Sequence, residues 1–342
     1  MQVEKIYYIQ EKKMDAFIFA LKAVAPIILM VVIGYMLKKM GFMNERFAKE
    51  ANRLVFRIFM PVMLFVNIYK IEDLSTINFG FMGFSAIALL IVFFLSIPTS
   101  IAVALQKNRR GVLIQAIIRS GYSLIGFSVA GSLCPEGGLM TATILSVIII
   151  PMFNILTVIS LVSIGNDSDE KPGVWKIVKD ILTNPLIVGI AIGLACIGIR
   201  TIFGNVGIEF RLSQITPVME VLEYLARLAI PLALLVLGAQ FEFSAVASLK
   251  REIIWGVALR TVVVPVLVIG TAFIFFRDNF GAAQFATLVA AFATPVAVPS
   301  VPMVQEMGGD VTLAGQLVVW STLVSAVTIF ICTFLLRLGG AF

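Results

Sequence analysis

Five basic residues, Lys22, Arg57, Arg119, Arg227 and Arg260, lie inside long apolar runs of a 342-residue chain. At a helix centre in a bilayer each costs about 2.5–3.5 kcal/mol by insertion scales, unless it reaches the interface or faces a cavity. A guanidinium kept at that cost presents a planar fork that binds a carboxylate through two parallel N–H bonds. Arg119 is the best candidate for such a contact, because it opens "RSGYSLIGFSVAGS" (119–132), a stretch rich in glycine and serine. Lys22, near a helix end, is expected to snorkel. Arg57 and Arg227 each stand four residues before a proline, Pro61 and Pro231. Arg260 reads as helix-packing or cavity-lining. Glu220, Glu223 and Arg227 share one helical face, and Glu223 and Arg227 have the i,i+4 spacing of an ion pair. In the sharper reading Glu220 or Glu223 carries a proton, since a desolvated carboxylate holds its proton more readily. Glu306 is expected to be solvated. Asn154, Ser321, Thr322 and Ser325 could ligate sodium or hydrogen-bond other helices, the commoner use.

A second kind of signal is structural damage. The run "AAFATPVAVPSVPM" (290–303) places Pro295, Pro299 and Pro302 within eight residues. A proline inside a helix removes a donor and clashes with the preceding turn, at roughly 3 kcal/mol or more. Backbone groups freed at membrane depth persist only when buried in protein or lining a water-filled cavity. Thr294, Pro295, Pro299 and Ser300 are therefore expected to line a solute site. At a constant offset of 171 residues, Ser123 answers Thr294, Leu124 answers Pro295 and Ser128 answers Pro299.

Composition decides the class and excludes much chemistry. Sixty per cent of residues are hydrophobic and 13% charged, against about 25% charged in soluble domains. No histidine is present, and Cys134, Cys196 and Cys332 are scattered. Neither a nucleophile with its base nor a set of metal ligands is in view, so no enzyme, metal site or cofactor is expected. The net charge of +6 is spread over short loops and argues against nucleic acid. The opening "MQVEKIYYIQEKKMD" is too polar and long for a usual signal peptide.

The elements that position these residues are apolar spans at about 16–37, 52–69, 79–105, 111–133, 137–164, 181–199, 215–240, 252–276, 281–305 and 312–336, each about the length that crosses a bilayer. Alternate joints hold 13 basic residues and the opposite side holds 8. Both termini are therefore expected to be extracytoplasmic. The linker at 165–180 divides the chain into five-span halves, 1–164 and 181–342. Weak correspondences join them. Pro26 and Gly34 match Pro185 and Gly193, Arg57 and Pro61 match Arg227 and Pro231, and "PEGG" (135–138) matches "EMGG" (306–309). An odd number of spans per half makes this an inverted repeat. The expected fold is an all-α polytopic membrane protein of ten transmembrane helices in a five-plus-five inverted repeat.

"LVFRIFMPVMLF", "LTNPLIVGIAIGL", "LARLAIPLALLVLGAQF", "VQEMGGD" and "STLVSAVTIF", in this order, resemble conserved stretches of the auxin efflux carrier family, which includes bacterial malate and malonate permeases. The resemblance covers Ala16 to about Leu336. It implies broken, crossed fourth and ninth helices, a scaffold bundle, a mobile transport bundle, and transport of organic carboxylates by alternating access. One departure concerns the fourth helix, where the family carries asparagine and then proline; here Gly121 and Ser128 stand in those places. The expected function is secondary transport of small organic anions in the cell (inner) membrane. The expected partners are that anion, the bilayer, a coupling proton or sodium ion, and a second copy in a homodimer. The alternatives are a sodium-coupled symporter of the bile-acid type and a membrane sensor that has lost transport.

Overall fold

A computed structural model describes residues 25–70, 78–165, 174–205 and 214–342. Lys22, part of the first span and half of the central linker lie outside the described residues. The described residues are mostly helical, and seven of their helices are long and apolar enough to cross a membrane. In chain order the passes are 25–39 (first), Glu45–Tyr69, Phe79–Val103, a fourth in two pieces, Gly138–Ile164, Pro185–Asn205, Thr216–Gln240, Lys250–Phe275, a ninth in two pieces, and Val311–Leu338 (tenth). The fourth comprises Lys107–Ile118 and Tyr122–Leu133; the ninth comprises Ala282–Ala293 and Ser300–Glu306.

Local sequence sets where these helices begin. Side-chain oxygens of Asn44, Asn78, Asn184 and Asp310 accept the amides of Phe47, Phe81, Leu186 and Leu313 at 2.8, 3.0, 2.9 and 2.9 Å. Each satisfies a donor that the first turn leaves without an intrahelical partner. The linker expected at 165–180 is partly helical, because Val174–Leu182 forms an amphipathic helix before the sixth pass. Prolines leave a repeated mark within passes. Wide π turns at Val55–Phe59, Leu259–Val263 and Val289–Ala293 each end two residues before a proline, Pro61, Pro265 and Pro295. The wider turn relieves the clash of the ring with the preceding carbonyl.

The second pass packs on the sixth and seventh, while the fourth, fifth, eighth, ninth and tenth pack among themselves, with the third against the fourth. In the first group the approach is closest at glycines. A Cβ on Gly34 would land on the carbonyl oxygen of Leu235, joining the first and seventh passes. A Cβ on Gly193 would lie 3.0 Å from Ile68 Cβ and 3.4 Å from the Phe65 oxygen, joining the sixth and second. Gly34 and Gly193 are the residues matched at offset 159, and Phe65 and Leu235 are related by the offset 170 of Pro61 and Pro231. The matched sequence positions thus make matched contacts.

The two groups meet at the tip of the ninth pass. Asn52 of the second pass donates to Gln240 of the seventh at 3.0 Å and to Gln305 of the ninth at 2.8 Å. Gln240 donates to Gln305 at 3.2 Å, and Gln305 donates to the Lys49 carbonyl at 3.1 Å. Next to this cluster Arg57 pairs with Glu306 at 3.0 Å. The Glu306 side chain is only 14% exposed, so it is an ion-pair partner rather than a solvated carboxylate. Arg109 fastens the same end of the second group, donating to Asp310 at 2.8 Å and Glu252 at 3.1 Å.

Gly34→Val is expected to lower the melting temperature in detergent by several degrees, through overpacking of about 1–3 kcal/mol. Gly83→Val, where a Cβ meets nothing within 4 Å, leaves it unchanged. Equal melting temperatures for the two variants would contradict the packing. Gln305→Ala is expected to speed hydrogen exchange across Ser300–Glu306 without altering the third or fifth pass, as read by mass spectrometry of peptides.

Candidate functional site

The two interrupted passes cross at their interruptions. Each leading piece, Lys107–Ile118 and Ala282–Ala293, runs for twelve residues. The helix is then interrupted, through 119–121 in the fourth pass and 294–299 in the ninth. Ser120 and Val296 face each other there in an antiparallel bridge. The Gly121 amide donates to the Pro295 carbonyl at 2.7 Å, and the Ala297 amide donates to the Arg119 carbonyl at 3.2 Å. The Val296 amide donates to Ser321 Oγ of the tenth pass at 3.0 Å. Each break thereby supplies partners for the other. Pro299 and Pro302 sit just before and within the first turn of Ser300–Glu306, where a missing N–H costs little.

Arg260 completes the arrangement. It is fully buried on the eighth pass and donates to Thr294 O at 3.0 Å, Ile117 O at 3.0 Å and Ala291 O at 3.2 Å. These are carbonyls at the C-terminal ends of the two leading pieces, which the breaks leave without their helical donors. Helix C-termini also carry partial negative charge, which a cation offsets. Its sequence position gave packing or cavity lining without a preference. Its role depends on acceptors 31 to 143 residues away, which no local pattern signals.

Arg119, 5% exposed, occupies the break itself. It donates to Asn154 Oδ1 of the fifth pass at 3.0 Å and to Met303 Sδ at 2.9 Å. Asn154 is oriented by its own donation to the Ile150 carbonyl at 2.8 Å. Among the described residues no carboxylate pairs with Arg119, so its charge meets only an amide and a thioether. Nearby on the same elements, the side-chain polar atoms of Gln115, Ser120, Thr157 and Ser300 are buried without hydrogen-bond partners. Buried polar groups left this way cost about 1–3 kcal/mol each.

The positions expected from sequence divide around this centre. Arg119, Gly121, Thr294, Pro295 and Ser300 are buried at or beside the crossing, with Pro299 at the end of the ninth-pass break. Ser123 and Ser128 are not in the break. Ser123 lies in the π turn Tyr122–Gly126 and Ser128 is exposed on the helix that follows. The offset of 171 holds at the left-handed turn glycines, Gly137 (φ 96°) and Gly308 (φ 77°). It fails at the breaks, where Pro295 meets Gly121 rather than matching Leu124, because the two interruptions differ in length. Ser128 nonetheless follows its π turn by two residues, the place that Pro61, Pro265 and Pro295 take after theirs. The glycine on which the crossing depends sterically is Gly126. A Cβ there would lie 2.8 Å from the Tyr122 ring and 2.9 Å from the Ala290 carbonyl, whereas at Gly121 the nearest atom is at 3.5 Å.

The acidic candidates lie elsewhere. Glu223 pairs with Lys70 at 2.7 Å and Arg227 at 3.2 Å, joining the second and seventh passes away from the crossing. Flanked by two cations and partly exposed, it lacks the apolar surroundings that proton carriage was expected to draw on. Glu220 is exposed on the same helix. Arg57 belongs to the junction with Glu306. Thr322 and Ser325 bond back to their own helix, and Ser321 is the one of the three that reaches across to the break.

Comparison with known proteins agrees with this architecture. The chain is 24% identical over 325 residues to an uncharacterized transporter of Methanothermobacter thermautotrophicus, covering 92% of this chain and 97% of that protein. The sequence pattern of a family described as "Membrane transport protein" matches residues 19–333, the same reach as the likeness to auxin efflux carriers. With a family match that runs from the first pass into the tenth, the chain belongs to this family of membrane transport proteins.

Proposed function

We propose that this protein is a secondary carrier of small organic anions that works by alternating access, with the substrate carboxylate held by Arg119 and Asn154 where the fourth and ninth passes cross. One observation carries the reading: a guanidinium 5% exposed, inside a membrane protein, whose side-chain partners among the described residues are the uncharged Asn154 and Met303. An isolated buried charge costs several kcal/mol, and an anionic solute removes that cost while it is bound. The planar fork also suits carboxylate geometry.

Two five-pass halves, 1–164 and 181–342, supply the moving parts in this reading. Support comes from the twelve-residue leading pieces and from the matched contacts of Gly34 and Gly193. The first, second, sixth and seventh passes form the support, and the others move as the bundle that carries the crossing. The polar cluster of Asn52, Gln240 and Gln305 then closes one end in this conformation. Because that end carries the joints richer in lysine and arginine, it is assigned to the cytoplasm, with both termini outside.

Arg119→Ala is expected to remove the thermal stabilisation that a panel of carboxylates gives the purified protein, and to reduce flux in proteoliposomes by at least tenfold. Arg119→Lys keeps the charge but not the fork, and recovers binding only in part. Unchanged stabilisation by the same acids in Arg119→Ala would take Arg119 out of the site. Glu223→Gln is expected to leave the pH profile of flux unaltered; a flattened profile would return proton carriage to Glu223.

A further inference from the structure

We propose that the Arg260 guanidinium is a built-in substitute for a coupling cation, so that anion movement through the crossing requires no sodium. The inference rests on the carrier reading and adds the nature of its coupling. In inverted-repeat transporters, unwound carbonyls and the C-terminal ends of half-helices are the groups that coordinate a coupling ion. Here those groups converge on protein. Ile117 O from the fourth pass and Ala291 O and Thr294 O from the ninth accept from three different nitrogens of Arg260, all at 3.0–3.2 Å. The guanidinium is fully buried and spans both leading pieces at once.

Charge balance points the same way. Each leading piece ends with about half an elementary negative charge from its aligned peptides. The two ends together are offset by one guanidinium, which leaves no negative excess to attract another cation. Three neighbouring hydroxyls already bond backbone groups. Thr294 Oγ1 donates to Ala290 O, Thr261 Oγ1 to Val257 O, and Ser321 Oγ bonds Val296 N and Val318 O. Among the described residues no cluster of three or more acidic, cysteine or histidine side chains could hold a metal ion. With the helix ends neutralised by Arg260, Arg119 remains as a single uncommitted positive charge beside the break. The matching solute presents one carboxylate to the crossing.

Arg260 is thus a positioning residue: it holds both breaks in register without touching the solute. The test uses the purified full chain in detergent and needs no known substrate. The melting temperature of the wild type is expected to be the same in sodium, potassium and choline chloride. Arg260→Ala is expected to melt several degrees lower and to regain most of the loss, saturably, in millimolar guanidinium chloride that leaves the wild type unchanged. A saturable sodium stabilisation of the wild type would overturn the proposal. So would a folded Arg260→Ala protein that matches the wild type or ignores every added cation. Should that variant not be recoverable from membranes, Arg260→Lys against Arg260→Met decides: the charged variant is expected to melt higher, and equal values overturn the proposal. In proteoliposomes, uptake of radiolabelled benzoate and malonate is expected to persist when choline replaces sodium. Uptake that exists but stops without sodium refutes built-in coupling alone. Absence of uptake under every gradient refutes the carrier reading and leaves the melting results to stand by themselves.

Discussion

Two helices interrupted inside a bilayer leave amides and carbonyls that no water can satisfy, and the rest of this structure follows from where those groups find partners. The amides of Gly121 and Ala297 use carbonyls of the opposite break, and the Val296 amide uses Ser321. The carbonyls at the ends of both leading pieces use Arg260. The breaks can persist only as a pair, since each is the other's partner. That mutual dependence requires the fourth and ninth passes to cross at one level, with the eighth and tenth held against them.

The same constraint separates two arginines that look alike in the sequence. Arg119 and Arg260 are both buried, and both lie at the crossing. Arg260 donates to three backbone carbonyls whose partial charges oppose its own, so its burial is compensated within the protein. Arg119 meets one amide oxygen and one sulfur. The two differ in compensation rather than in exposure. Buried polar atoms of Gln115, Ser120, Thr157 and Ser300 without partners mark the same side of the crossing as incomplete.

Contacts between the supporting passes and the rest are of a different kind. Within the first group, glycines bring helix backbones into direct apposition, a tight and apolar join. Between the groups, at the tip of the ninth pass, amide side chains and one ion pair form the junction. Hydrogen bonds among amides exchange for bonds to water at small net cost, whereas separating interdigitated backbones forfeits packing on both faces.

Composition and hydropathy by themselves determined the class of protein, the ten passes and the presence of a break in the ninth, because lipid imposes a length and a polarity that every pass must meet. The place of Arg119 at the fourth-pass break was also legible, since it opens a run rich in glycine and serine. The break in the fourth pass was legible only approximately. Ser123 and Ser128 were matched at the offset that Gly137 and Gly308 keep, but the interruptions 119–121 and 294–299 differ in length, and a constant offset cannot cross that difference. The second ion pair of Glu223 was not legible for a related reason: Lys70 is over a hundred and fifty residues away in the sequence. Only the tertiary structure could assign Arg260, whose three acceptors come from two other passes. A hydrogen bond is set by which donors and acceptors arrive together in space, and the sequence shows the groups without showing the meeting.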